Sequence, residues 1–166
     1  MSVTRVFVPS TLARLAAIIE SGGIGPVPVL AHAVTDHLRR CRPDGDEDEW
    51  EYAAMSAAAQ DSVGLLTGDD RPRRVVLAVD ASSVRPLAQG GGTLVQVDEV
   101  VPAVRIVAVH VDSENAEADV VQARSAWEDA EPHSEPQASM DRCLDHELGW
   151  YAASEIGDLI GGEGLV

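Results

Sequence analysis

Val104-Arg-Ile-Val-Ala-Val-His-Val111 is the run on which the fold turns. Seven of the nine residues from Ala103 to Val111 are apolar, and four before His110 are β-branched. Such a density predicts a central strand covered on both faces. The two-residue period of a strand places Val104, Ile106, Ala108 and His110 on one face. Arg105, Val107, Val109 and Val111 fall on the other. Val-Asp-Ser then leads into a predicted helix from Glu114 to Trp127.

Outward from this run, the chain alternates strand and helix signals. Val3 to Val8 predicts a first strand. Ser10 is a good N-cap for a helix from Thr11 to Ser21, with Leu12, Leu15, Ala16 and Ile19 on one face and Gly22 and Gly23 stopping it. Val29 to Val34, following Pro26 and Pro28, reads as a short strand near a sheet edge. Thr35 is the next cap, opening a short helix at Asp36. A long helix from about Glu47 to Leu66 is announced by the capping-box spacing of Asp46 and Glu49. Its small and apolar residues fall in two stripes, one through Trp50, Ala53, Ala57 and Gly64 and one through Tyr52, Met55, Ala59, Val63 and Leu66. Packing on more than one side follows.

Arg73 to Ala81 predicts a strand, Ser82 to Gly92 a loop, and Thr93 to Val101 a further strand. With no helix between this strand and the 104–111 run, antiparallel neighbours are expected. Glu128 to Ser139, with two prolines and several acids, reads as a mobile loop. Asp145 is expected to cap a last helix through Ile160, with Leu148, Tyr151, Ala152 and Leu159 buried. The fold class expected is α/β: a mixed five-stranded sheet with packed helices, its C-terminal half antiparallel. Residues 1–160 form a single domain and 161–166 a flexible tail.

Charge and composition narrow the functions. Twelve arginines face twenty-eight acids, for a net charge of −16, and lysine is absent. Residues 98–166 carry most of that excess. Such a surface repels a phosphate backbone, so direct nucleic-acid binding is not expected. It attracts a basic protein partner instead, and a homo-oligomer is the alternative assembly. Cys41 and Cys143 form no Cys-x-x-Cys pair, and two sparse thiols suit a reducing cytoplasm. No membrane span and no signal peptide is read.

Candidate site residues fall in two groups. Where strands feed helices, Ser10, Thr11, Thr35, Asp36, His110, Asp112 and Ser113 would ring a polar cleft if their strands ran parallel. Towards the end of the chain, His146, Glu147, Trp150 and Tyr151 echo the Glu47, Trp50, Glu51 and Tyr52 grouping on the long helix. Aromatic rings beside carboxylates could line a pocket; they also suit a packed core. His146-Glu147 lacks the second histidine of a zincin, so no metal and no other cofactor is expected. No Gly-x-Ser-x-Gly elbow appears, and Gly90-Gly91-Gly92 lacks the lysine of a phosphate loop.

The phrases Arg-Val-Phe-Val-Pro-Ser-Thr (Arg5 to Thr11), Ala-His-Ala-Val-Thr (Ala31 to Thr35), Glu-Tyr-Ala-Ala (Glu51 to Ala54), Ala-Val-His-Val-Asp (Ala108 to Asp112) and Asp-His-Glu-Leu-Gly-Trp-Tyr (Asp145 to Tyr151) together resemble a family of uncharacterised actinobacterial proteins. The resemblance spans nearly the whole chain. It implies a cytoplasmic protein of a high-GC genome and assigns no activity to any residue. Two functional classes remain: a non-catalytic interaction or regulatory module using the acidic surface, or a small-ligand binder or enzyme using the strand-end cleft.

Overall fold

The computed structural model describes residues 2–88, 92–129 and 136–161. In chain order the elements are β1 (Thr4–Ser10), α1 (Leu12–Ser21), β2 (Gly23–Ile24), β3 (Val29–His32), α2 (Asp36–Cys41), α3 (Glu47–Leu65), β4 (Val75–Ala81), β5 (Val84–Pro86), β6 (Leu94–Val97), β7 (Val101–Pro102), β8 (Ile106–Val111), α4 (Glu117–Glu128), α5 (Pro136–Cys143), β9 (Gly149–Ala152) and α6 (Ile156–Gly161). They form one α/β domain, as expected. Among the described residues the main sheet has seven strands rather than five, in the order β5-β6-β3-β1-β4-β8-β9. Each neighbouring pair in it is antiparallel. β1 and β8, two of the three strands expected to lead into helices on a common edge, do share a direction, but β4 runs between them in the opposite sense.

The 104–111 run lies inside this sheet, bonded to β4 on one side and β9 on the other. Three corrections apply to it. Its first residues form a 3-10 turn, Ala103–Arg105, that leaves Val104 89% exposed. An irregularity in the ladder then pairs Ala78 with Ala108 but Val79 with Ile106. Val107 is thus the extra residue of a bulge, and Ile106 joins Val109 and Val111 on one face while Ala108 and His110 take the other. Finally, the strand at the centre of the packing is β4, whose Val75 to Val79 are all buried.

β6 does not neighbour β8. It pairs with β5, inside the expected loop, and with β3, which is therefore internal rather than near an edge. The chain then returns through β7, paired with β2, before crossing to the far side of β4. The predicted loop from Glu128 gives way to α4's last residue and, from Pro136, to α5; residues 130–135 lie outside the described residues. The expected Asp145-capped helix is also replaced. Gly149–Ala152 pairs with β8 as β9, a 3-10 turn follows, and only Ile156–Gly161 is helical. Aromatic Trp150 and Tyr151 suit a pleated surface, and the open edge of β8 supplied a ladder that local periodicity did not reveal. Gly90, Gly91 and the tail at 162–166 are likewise outside the described residues.

Helices cover both faces. Leu15 of α1 and Ile156 and Leu159 of α6 pack on Val6, Val8, Leu77 and Val79. On the other face α3 lays Ala54, Ala58 and Ala59 against Phe7, Val76, Ala78 and Ala108. Of the second expected stripe, Ala59 and Met55 meet this face and Val63 packs in a further cluster, whereas Ala54 and Ala58 belong to neither stripe; methyl-sized side chains bring the helix close to the sheet. The Asp46–Glu49 capping box forms as expected. The cap of α1 is Thr11, not Ser10: its hydroxyl accepts from the Arg14 amide at 3.1 Å.

Near its C-terminus α3 is fastened by Ser62, which is fully buried. Its hydroxyl donates to the Ser10 carbonyl at 2.7 Å and accepts from the Val75 amide at 3.0 Å. One side chain thereby ties a helix to the ends of two central strands. Ser62→Ala deprives both backbone groups of that partner in a site without water access, and should lower unfolding free energy by about 1–3 kcal/mol. Urea denaturation of the two proteins measures this; a change below about 0.5 kcal/mol would contradict it.

Candidate functional site

The antiparallel pairing of β1 with β3 splits the proposed strand-end ring. Ser10 and Thr11 end at the edge where β8 also ends, while Thr35 and Asp36 are carried to the opposite edge. Thr35 caps α2 through the Leu38 amide and donates to the Gly92 carbonyl. Asp36 is solvent-facing and pairs with Arg39. Both are used locally, and they do not join the others.

Asp112 is not in a cleft either. It is 1% exposed, and Arg74 grips it with two bonds, Nε to Oδ2 at 2.8 Å and Nη2 to Oδ1 at 2.7 Å. The Arg74 amide adds a third at 2.8 Å, and Nη2 also donates to the His146 carbonyl at 2.9 Å. The carboxylate is saturated, so its work is to join β4, β8 and the approach to β9. Sequence reading could mark Asp112 as polar and well placed, but not its partner 38 residues away.

The candidates that do converge lie on the α3 face of β8 and β9. His110 and Trp150 are directly paired across these strands. Tyr52 and Met55 of α3 stand opposite, and the four share two adjoining hollows of about 290 and 320 Å³. The first extends to Arg74, His146 and Glu147, the second to Arg5, Asp48 and Glu51. Thus His110, Glu51, His146, Glu147 and Trp150 are assembled from three distant segments. Tyr151 is not among them: alternation along β9 turns it to the other face, against the α1–α6 core. Trp50 is also diverted, its indole donating to the Arg42 carbonyl at 3.0 Å. Tyr52, by contrast, becomes a principal wall.

The electrostatics are those of an acidic aromatic notch. Tyr52 is 56% and Trp150 63% exposed, beside Asp48, Glu51 and Glu147. Arg5 is already taken, its Nε donating to Asp80 at 2.7 Å, and this bond raises its pKa. His146 Nε2 lies 2.7 Å from Asp119 Oδ2 on α4, which orients the ring. Burial pushes His110 below the ordinary histidine value of 6.5, so at neutral pH it is an uncharged floor. Among the described residues no group of three or more His, Cys, Asp or Glu could hold a metal ion. No helix among them is long and apolar enough to cross a membrane.

Two predictions follow from these placements. Asp112→Asn leaves the buried Arg74 cation without its counter-charge and should cost about 3–5 kcal/mol of stability, read from urea unfolding. For His110, the unfolded chain takes up a proton at a higher pH than the folded one. Stability is therefore intact above pH 6.5 and falls as pH drops from there towards the folded value. A thermal unfolding series from pH 7.5 to about 5 should show a shallower loss for His110→Gln than for the wild type; parallel curves would refute the burial effect.

No curated protein and no solved structure matches the chain. A family profile does, across residues 4–160, which is nearly all of the sequence and the whole of the sheet described above. The chain accordingly belongs to the family of unknown function DUF6912.

Proposed function

We propose that this domain is a non-catalytic interaction module that docks a basic protein segment on the Tyr52–Trp150 notch. The observation that carries the reading is the pair of exposed rings framed by Asp48, Glu51 and Glu147. An arginine or lysine entering between the rings would gain cation–π attraction and a carboxylate partner together. Aromatic anchors surrounded by polar groups are also the residue types that dominate binding energy at protein interfaces. The net charge of −16 favours the encounter and disfavours a second copy at the same face.

A cytoplasmic setting fits the same reading. Cys41 and Cys143 are both free thiols, which accords with a reducing compartment. The use of arginine to the exclusion of lysine agrees with a high-GC actinobacterial genome. A regulatory role would consist in occupying or releasing the partner's basic segment.

Calorimetric titration with a hexa-arginine peptide tests the site. Binding should weaken when salt is raised from about 0.05 to 0.3 M, because exposed charges are screened. Trp150→Ala should weaken it on the order of tenfold, and Glu51→Gln with Asp48→Asn further. Equal affinity for wild type and Trp150→Ala would mean that the peptide senses only diffuse charge, and the notch would have no role. Concentration-dependent self-association lost in Trp150→Ala would assign the face to a second copy instead.

A further inference from the structure

At the edge of the sheet where β1 ends, away from the notch, α1 and α3 lie on opposite faces and do not close over the strand ends. The gap is a groove of about 1070 Å³, larger than either hollow of the notch. One wall is the stripe Arg14, Ala17, Ile18 and Ser21 of α1; the facing wall is Gln60, Asp61, Gly64 and Leu65 of α3. The segment from β2 to the start of β3 forms the floor with the end of β1, and Trp127 of α4 closes one side.

Small residues hold this space open. Ala17 of α1 and Gly64 of α3 both line it, and a Cβ on Gly64 would meet no atom within 4 Å. Apolar groups are left without cover: Leu30 is 52% and Trp127 47% exposed. The volume is at the upper end of the range for small-molecule sites, which runs to roughly 1,000 Å³ and favours mostly apolar walls with few polar groups.

The polar groups define the ligand's charge. Among the described residues Arg14 is the single cation lining the groove, and its guanidinium makes no ion pair there. It stands in the first turn of α1, where no acid accompanies it. A cation there is opposed by the positive end of the helix dipole, so an anion is favoured twice over. The one carboxylate among the described lining residues, Asp61, is already engaged: its Oδ2 lies 2.6 Å from Nε2 of buried His32. Ser10, the strand-end residue expected as a rim group, sits buried in the lining.

We infer that this groove binds an amphipathic organic anion, its apolar body against Ile18, Leu30, Leu65 and Trp127 and its acidic head at Arg14. The assignment rests on residues separate from the notch, so either stands without the other.

Trp127 supplies the readout. With Trp50→Phe and Trp150→Phe it is the only tryptophan of the three in the chain. In that background decanoate should shift Trp127 emission along a saturable curve and raise the unfolding temperature, as a ligand of the folded state does. Arg14→Ala should weaken decanoate about tenfold while changing decanol binding less than about twofold, because only the charged head is lost. Gly64→Leu should abolish both, with Ala17→Leu filling the groove from the opposite wall should the first variant not fold. The inference is overturned by no saturable response to decanoate, by decyltrimethylammonium binding as tightly, by equal losses of decanoate and decanol in Arg14→Ala, or by full binding in a folded groove-filled variant.

Discussion

The ion pair between Arg74 and Asp112 is the constraint on which the C-terminal half depends. Both side chains are almost fully withdrawn from water, at 3% and 0% exposure. Such a pair is tolerated only when its remaining donors and acceptors are satisfied, and here backbone groups complete it: the Arg74 amide on the carboxylate and the His146 carbonyl on the guanidinium. It thereby sets the positions of three segments at once. β4 begins immediately after Arg74, β8 ends immediately before Asp112, and His146 opens the approach to β9.

From that junction the notch follows geometrically. Once β9 lies against β8, the pleat sends Trp150 to the same face as His110 and Tyr151 to the other. The bulge at Val107 then matters, because it places Ala108 and His110 opposite α3 while Ile106 turns into the α1–α6 core. The alanine face of α3 draws that helix onto the sheet. Tyr52 and Met55, just beyond the alanine contact, are thus held over His110 without being buried themselves.

The groove at the other site arises from the opposite circumstance, a place where two helical layers do not meet. α1 is held to its face by Leu15 and α3 to the other by its alanines and Ser62. Their facing stripes are too small to bridge the strand ends between them. Its polar chemistry is as sparse as the notch's is dense: among the described residues, one unpaired guanidinium against a carboxylate held by a histidine.

Much of the local structure was legible in residue order. The helices α1, α2 and α3 and the strands β1, β3 and β4 carry their own signals, because capping groups, glycine stops and β-branched runs act within a few residues. The Asp46–Glu49 box and the burial of Val109 and Val111 needed no distant partner to be anticipated. Part of the notch was legible too, since an aromatic residue beside carboxylates recurs at Glu51-Tyr52 and at Glu147 to Trp150. What residue order could not decide was which segments would meet. Gly149–Ala152 became a strand because β8 had a free edge to pair with. Asp112 became structural because Arg74 was buried beside it, and Thr35 left the ring because β3 returned antiparallel to β1. Arg14, Gly64 and Trp127 share no motif at all. Local propensity acts over one or two turns of chain, whereas pairing, ion-pair burial and groove walls are set by packing between residues tens of positions apart. The chain alone therefore determined an acidic α/β domain and most of its helices, and the tertiary structure alone decided where its two candidate sites lie.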